Sequence, residues 1–487
     1  MVLCKLARSP LIRAIRSCFS QPRFWLIVLA GIALGLRFWQ LARFNTLVFD
    51  EVYFVNFAQA YRQRLAPTDA HPPLGKYIIA AGIQLGSWLN STAKTTPEVG
   101  IAPFSYRQAN ALIGSLVPLI VVGIARTVSQ PIGQTQSTVI QWPRQRQRQW
   151  QFALLSGLFV ATDGLFITES RYALLNVHMV CLGLLSHMLW LKAALTPDIR
   201  QSKKVLLQTA SGCFLGSAIA VKWNGLGYLL SLIVWECHYY CSKNKDSKNK
   251  NGKNKDKQEN LNLKTSLKNL AYLILIATIT YSLIWWPHLR ITQENLFSVH
   301  AHLFSFHQHI GASGHAACSR WYSWPLLIRP ITYEYIRTES QAYTVSNLGN
   351  PALWLLSSSA MLLLTINYAL PLKHARSRKL KASQTSPQSD IIGPYLLISY
   401  LCNWLPWMLV QRCTFNYLYM PAAVFGFMSL AWLLSQWLNA PSKTTQVIAW
   451  LMLSLIAIAF LFWLPLALGL PLSPQSLKTR WLLKSWM

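Results

Sequence analysis

Carboxylates are scarce in this sequence: 15 Asp and Glu stand against 45 Lys and Arg in 487 residues, and the charged types together make up only 12%. A water-exposed surface needs roughly twice that charged fraction, so a soluble globular protein is excluded. The excess of +30 would suggest nucleic acid if the cations formed one patch. They concentrate instead in short stretches between apolar runs, a pattern that reports membrane topology. Cysteine offers no scaffold either. Most of the nine cysteines lie within apolar runs and Cys318 stands alone in a polar segment, so small packing residues are expected rather than a disulfide framework. Neither an internal repeat nor a mid-span acid other than Glu236 is evident, which weighs against a transporter. No small-residue cleavage site follows the first apolar run, which is expected to remain as an anchor.

What the chain has in abundance is apolar length. Hydrophobic residues reach 53%, 21 residues are Trp, and apolar runs of about 18 residues or more recur from end to end. About eleven spans are expected, near 24–41, 106–126, 150–168, 172–195, 205–222, 224–240, 267–289, 352–372, 391–411, 416–437 and 445–470. The positive-inside rule keeps the basic tail 1–23 and a Lys/Asn-rich loop, 241–266, in the cytoplasm. Between them lies an N-terminal transmembrane catalytic core, 24–240, with a large outer segment at 45–103. A C-terminal transmembrane part, 267–470, carries the second outer segment, 290–350. The odd span count puts the basic tail 471–487 outside, where it reads as an interfacial helix or as the mark of a miscounted span.

Nine carboxylates (Asp50, Glu51, Asp69, Glu98, Asp163, Glu169, Glu294, Glu334, Glu339) map to the outer side or to the outer end of a span. The chemistry is therefore expected to face outward. Foremost is the pair Asp50–Glu51, at a membrane–water boundary, where an ionised acid costs roughly 2.5–3.5 kcal/mol unless something compensates it. That cost favours a functional site over a solvated helix end. Arg107, Arg171 and Lys222 fall near the outer ends of separate helices and could converge on an anionic head group, with snorkelling to lipid as the alternative. Arg412 is a fourth candidate. Asp163 is expected to form a structural ion pair. Asp69-Ala70-His71-Pro72-Pro73 reads as a rigid turn, with His71 either facing substrate or satisfied by loop carbonyls. Residues 300–315, HAHLFSFHQHIGASGH, hold five of the eleven histidines without closed metal-ligand spacing or a carboxylate cluster, so no metal ligand is assigned. A polar lid with His309 and His315 near the acceptor is preferred, and Trp321 with Trp324 would anchor it at the interface or offer a stacking surface.

FDEVYFVNFAQAY with DAHPPLGK resembles the first outer loop of the protein O-mannosyltransferases, membrane enzymes that move mannose from a polyprenyl phosphate to Ser or Thr hydroxyls. SYRQANALIGSL, ATDGLFITESRYALLN, GSAIAVKWNGLG, SRWYSWPLLIRPITY, SNLGNPALW and NWLPWMLVQRCTFNYLYMPA follow in the family's order. Three positions depart from the family pattern: Tyr53 replaces a usual His, Glu169 a Gln, and Asn176 an Asp found in many members. The second outer segment has no long insert like the β-trefoil domain of the eukaryotic enzymes, which points to the prokaryotic type. The resemblance implies an all-α integral membrane protein of the GT-C glycosyltransferase fold, with about 11 transmembrane helices and two large outer segments. It implies a multi-pass protein of a prokaryotic cell (inner) membrane, with its N-terminus cytoplasmic and its active site outward. A polyprenyl-phosphate-mannose donor, secreted or membrane protein acceptors, surrounding lipids and no nucleic acid are the implied partners. No cofactor is expected, and divalent-metal dependence stays open. A transferase of the same architecture acting on a lipid or polysaccharide is the alternative.

Sugar transfer from a lipid phosphate to a hydroxyl needs a base for the acceptor proton and positive charge for the leaving phosphate. Asp50 is the expected base, acting by single displacement with inversion. Glu51 points elsewhere and is expected to hold an arginine or touch the acceptor. The topology is testable directly: cysteines introduced near Lys250 and near Ser313 should label from opposite sides of sealed vesicles. Same-side labelling would overturn the span count between them.

Overall fold

The computed structural model describes residues 21–89, 94–130, 142–248, 255–309, 316–369 and 389–486. The N-terminal half runs through α1 (Pro22–Phe38), α2 (Glu51–Arg62), α3 (Leu74–Leu89), α4 (Pro103–Val128), α5 (Trp142–Thr162), α6 (Gly164–Arg171), α7 (Asn176–Leu195) and α8 (Gln201–Val221). The rest comprises α9 (Leu226–Lys248), α10 (Lys255–Thr292), α11 (Leu296–His309), a hairpin of β1 (Thr332–Arg337) and β2 (Ala342–Ser346), α12 (Pro351–Ala369), α13 (Ser389–Trp404), α14 (Met420–Trp437), α15 (Lys443–Leu468) and α16 (Pro474–Lys478).

Among the described residues, seven helices are long and apolar enough to cross a membrane, and α5 with α6, bent by 58°, makes an eighth. The other three expected spans coincide with α1, α9 and α13. This is an integral, multi-pass membrane protein. The bend is a correction to the expected continuous span at 150–168, and its cause is Asp163. Its backbone is extended, and its Oδ1 accepts the N–H groups of Leu165 and Phe166 at 3.1 and 3.3 Å, which starts a new helix. Oδ2 accepts from Asn350 N–H at 2.9 Å and from Trp354 Nε1 at 2.8 Å, tying the bend to α12. Gly164 permits the close approach, since a Cβ there would lie 2.1 Å from the Leu348 carbonyl oxygen. Asp163 is thus a helix cap and inter-helix tie, and its charge lies within electrostatic reach of the buried Arg37.

The two long segments between spans share one face of the bundle. The Phe49 ring stacks on Tyr333 at 4.2 Å, Tyr61 Oη bonds His288 Nδ1 at 2.8 Å, and the rings of His71 and His307 lie 6.0 Å apart. The C-terminal tail belongs to the same face: Leu472 exchanges backbone hydrogen bonds with Ala342 at 2.8 and 3.0 Å, and Trp486 Nε1 donates to the Leu327 carbonyl at 2.7 Å. The basic tail therefore packs with the second long segment.

Cys318 and Cys413 form a disulfide across 95 residues, with their Cα atoms 5.2 Å apart, which corrects the expectation of none. The expected span 391–411 ends early. Pro406 disfavours helical geometry at the residue before it, so α13 stops at Trp404 and the chain turns out of the bundle before Cys413. Ser319 N–H donates to the Thr414 carbonyl at 2.8 Å and Thr414 Oγ1 to the Ser319 carbonyl at 2.6 Å, bracing the same junction. Peptide mapping without reductant should recover a cross-linked 318–413 fragment. Cys413→Ser should lower unfolding free energy by about 2–4 kcal/mol in detergent, and an unchanged melting temperature would mean that the bond carries no stability.

Candidate active site

Glu51 opens α2 and is wholly buried. A buried carboxylate must have every oxygen satisfied, and this one does. Oε1 accepts from Arg107 Nε at 2.9 Å and Ala173 N–H at 2.8 Å, while Oε2 accepts from Arg107 Nη2 at 2.7 Å and Val48 N–H at 2.9 Å. Arg107 spends its remaining donors on the carbonyls of Leu41, Phe44 and Thr46 at 3.3, 2.8 and 2.9 Å. The guanidinium is also flanked by the rings of Tyr106 and Tyr172, 5.1 and 4.9 Å from their centroids. Both residues are fully committed, so Glu51 has no free oxygen for an acceptor proton and Arg107 no N–H for a phosphate. Glu51 does hold an arginine, one of the two roles open to it from sequence. Arg171 is committed in a similar way, donating to the carbonyls of Leu36, Arg37, Trp39 and Gln40 at 2.8–3.2 Å, where it caps the end of α1.

Asp50 precedes α2, half-buried, and its carboxylate lies within electrostatic reach of Lys222 and Tyr417. The residue before it, Phe49, has φ of +54°, a left-handed backbone uncommon for an aromatic residue. The stack on Tyr333 holds Phe49 there. Such local strain persists where surrounding contacts over-determine it, and it occurs at functional sites.

Lys222 and Tyr417 belong to the wall of a cavity of about 650 Å³. Lys222 follows α8 directly with extended backbone, so its side chain leaves the helix line. Its lining combines Lys222, Arg412, His71 and His307, which lie within electrostatic reach of one another, with the apolar side chains of Leu226, Leu230, Phe304, Trp407 and Val410. Burial pushes Lys222 down to about 8, against the opposing pull of Asp50 and Glu169, and the nearby Arg412 lowers it further. His71 and His307 are held below the usual histidine range, chiefly by burial and then by these same cations, and so stay neutral. Two cations that oppose each other's charge in the wall of a largely apolar pocket favour an anion.

Lys222 Nζ donates to Asn176 Oδ1 at 2.9 Å and stands 5.2 Å from the centroid of the Tyr417 ring. Asn176 Nδ2 donates to Glu169 Oε2 at 3.0 Å, and Tyr333 Oη donates to Glu169 Oε1. Two of the sequence's three departures from the family pattern, Glu169 and Asn176, are therefore bonded to each other.

Other residues expected in the site play different parts. Asp69 pairs with Lys76, Oδ2 to Nζ 2.5 Å, and Lys76 Nζ also donates to the His71 carbonyl at 2.7 Å. Asp69 thus holds the turn that brings His71 to the cavity. His309 is exposed on α11 with its Nδ1 against the Ser305 carbonyl at 2.7 Å, away from the cavity wall. His307 occupies the place expected of it. The helical period carried that signal: Val299, His300, Leu303 and His307 recur on one face, with Val299 and Leu303 buried. His315 lies outside the described residues. Trp321 packs edge-on against Trp404 at 5.1 Å and its carbonyl accepts from Trp404 Nε1, which makes it a brace behind the site. Tyr333 and Tyr417 were missed, and no pattern in the sequence distinguishes them from the other 17 tyrosines.

The ion pair can be tested apart from any activity. Arg107→Ala leaves Glu51 charged, buried and unmatched, and should destabilise the protein by about 3–5 kcal/mol in detergent unfolding. Arg107→Lys should recover little, since one ammonium cannot serve five acceptor contacts in a plane. A normal melting temperature in both variants would remove the structural role.

The fold resembles that of several solved GT-C enzymes. The Saccharomyces cerevisiae protein O-mannosyltransferase Pmt1-Pmt2 complex bound to the sugar donor superposes with a TM-score of 0.74 at 13% identity, over 96% of this chain and 92% of that one. ArnT from Cupriavidus metallidurans bound to undecaprenyl phosphate gives 0.54 at 13% identity, over 89% and 63%. In sequence, a polyprenol-phosphate-mannose–protein mannosyltransferase of Mycolicibacterium smegmatis is 22% identical over 530 residues, 94% of this chain and 90% of that protein. Protein O-mannosyltransferase 1 of Drosophila melanogaster is 27% identical over 220 residues, and the match spans only 22% of its length. A family model for the C-terminal four-transmembrane region of protein O-mannosyltransferases matches residues 292–486. The model of the dolichyl-phosphate-mannose–protein mannosyltransferases matches 19–132 and 141–292, more than half of the sequence, and the chain belongs to that family.

Proposed function

We propose that this protein transfers mannose from a polyprenyl-phosphate-mannose donor to Ser or Thr hydroxyls of proteins, with inversion, on the outer side of a bacterial cell membrane. The observation that carries it is the cavity whose wall combines Lys222 and Arg412 with apolar side chains. A lipid phosphate sugar has the matching combination, an anionic head on a prenyl chain. Family membership and the coverage of the mycobacterial relative support mannose and protein as the transferred sugar and acceptor.

In this mechanism the acceptor oxygen attacks the anomeric carbon from the side opposite the phosphate. Asp50 takes the hydroxyl proton as the new C–O bond forms. The bond from the anomeric carbon to the phosphate oxygen breaks, and its electron pair leaves on the polyprenyl phosphate. Lys222 and Arg412 neutralise the charge that develops there. His71 and His307, held neutral, can donate or accept hydrogen bonds to sugar hydroxyls without adding charge. The basic N-terminal tail and the basic stretches between spans support an orientation with the N-terminus in the cytoplasm.

Purified protein incubated with mannosyl-phosphoryl-polyprenol and a Ser/Thr-rich peptide should yield a glycopeptide by mass spectrometry. Asp50→Asn keeps the size and removes the base, so the rate should fall by about 10²–10⁴ with donor binding retained. Turnover within a few-fold of wild type would sink the assignment of Asp50, and glycolipid in place of glycopeptide would sink that of the acceptor.

A further inference from the structure

We propose that Glu169 is a positioning residue whose single negative charge, passed through Asn176, fixes Lys222 for the donor phosphate and, through Tyr333 and Phe49, also fixes Asp50. The inference rests on the assignment of Lys222 as a phosphate ligand.

Glu169 is completely buried on α6, a position that a carboxylate occupies only against a specific compensation. Its two bonded partners, Tyr333 Oη and Asn176 Nδ2, both donate, the arrangement an ionised carboxylate requires. The cation that answers its charge is Lys222, one amide away. An asparagine side chain can present either its oxygen or its nitrogen to a neighbour. Because Nδ2 is engaged by Glu169, Oδ1 is the atom left to face Lys222. The carboxylate thus orients the amide, and the amide orients the ammonium, whose other neighbour is the face of Tyr417. A direct Glu169–Lys222 pair would neutralise the lysine. The intervening amide leaves its remaining N–H groups for a ligand while keeping it in the field of a fixed charge.

The second arm runs outward. Tyr333, on β1, is held between Glu169 and Asn347, whose Nδ2 donates to its hydroxyl at 3.2 Å, and its ring lies parallel to Phe49 within 3°. Phe49 immediately precedes Asp50 and carries the left-handed backbone. Losing the Glu169 charge therefore loosens both candidate groups, by separate routes.

The test exploits the bonded pair. Binding of polyprenyl phosphate is followed by quenching of tryptophan fluorescence, since Trp223 and Trp407 line the cavity. Turnover is followed with the peptide assay. Glu169→Gln should weaken polyprenyl phosphate binding and raise the donor KM by at least about tenfold, the loss expected for one charge-assisted contact, with the peptide KM unchanged. The double variant Glu169→Gln with Asn176→Asp puts the charge back one residue closer to Lys222, and should restore binding to within a few-fold of wild type. A role in packing alone would give no such rescue. Tyr333→Phe, which cuts only the outer arm, should lower kcat at saturating donor and leave polyprenyl phosphate binding intact. Equal binding by wild type and a folded Glu169→Gln protein would overturn the proposal, as would a double variant no better than the single one. If Glu169→Gln does not fold, the double variant decides alone: folded with wild-type donor KM supports the shared charge, and folded with a raised KM overturns it. If neither folds, Tyr333→Phe decides, and an unchanged kcat overturns it. A wild-type protein that does not bind polyprenyl phosphate at all would remove the assignment of the cavity as well.

Discussion

The contact between Glu51 and Arg107 is the constraint on which the N-terminal half of the molecule depends. A charge pair inside a bundle stabilises only when its remaining hydrogen-bonding capacity is used, because the desolvation of two ions otherwise outweighs their attraction. Here that capacity is used by backbone groups from three places: the chain leaving α1, Val48 two residues before Asp50, and Ala173 past the end of α6. The pair therefore sews the first long segment onto α4 and α6 at once. With Glu51 turned inward, its neighbour Asp50 is presented toward the cavity side, where its field reaches Lys222.

Cations that look alike in sequence divide into two kinds of work. Arg107 and Arg171 each have a planar fork of donors, and both use it on carbonyl groups near the end of α1. Those carbonyls have no helical partner of their own, so an arginine there answers a need of the fold. Lys222 and Arg412 lie on the wall of a cavity instead. Lys222 has a single amide oxygen and the Tyr417 ring beside it in place of a cluster of carbonyls.

The second long segment serves as a brace behind and above this wall. The disulfide from Cys318 to Cys413 anchors the residue next to Arg412, and the hairpin delivers Tyr333 to Glu169. The end of the chain adds to the same layer by pairing Leu472 with Ala342 and burying Trp486. One cavity wall is thus assembled from residues that are far apart in sequence.

Much of this was legible in the sequence, and for physical reasons. Apolar length and the clustering of basic residues decide which segments span and on which side they turn, because a bilayer charges every unpaired peptide group and every misplaced ion heavily. Every one of the expected spans has a helix over it, and the scarcity of acids drew attention to the segment that holds Asp50. Which of four basic residues would face a ligand was not legible, since that depends on whether carbonyls or a carboxylate from another helix arrive first. Only tertiary structure brought Glu51 to Arg107, Asn176 to Lys222 and Cys413 to Cys318, across separations of 56, 46 and 95 residues. Sequence alone determined that this chain must lie in a membrane with its chemistry at one face. The tertiary fold decided which polar groups are consumed in building that face and which are left to act, because a polar group in a dry interior is defined by its partner.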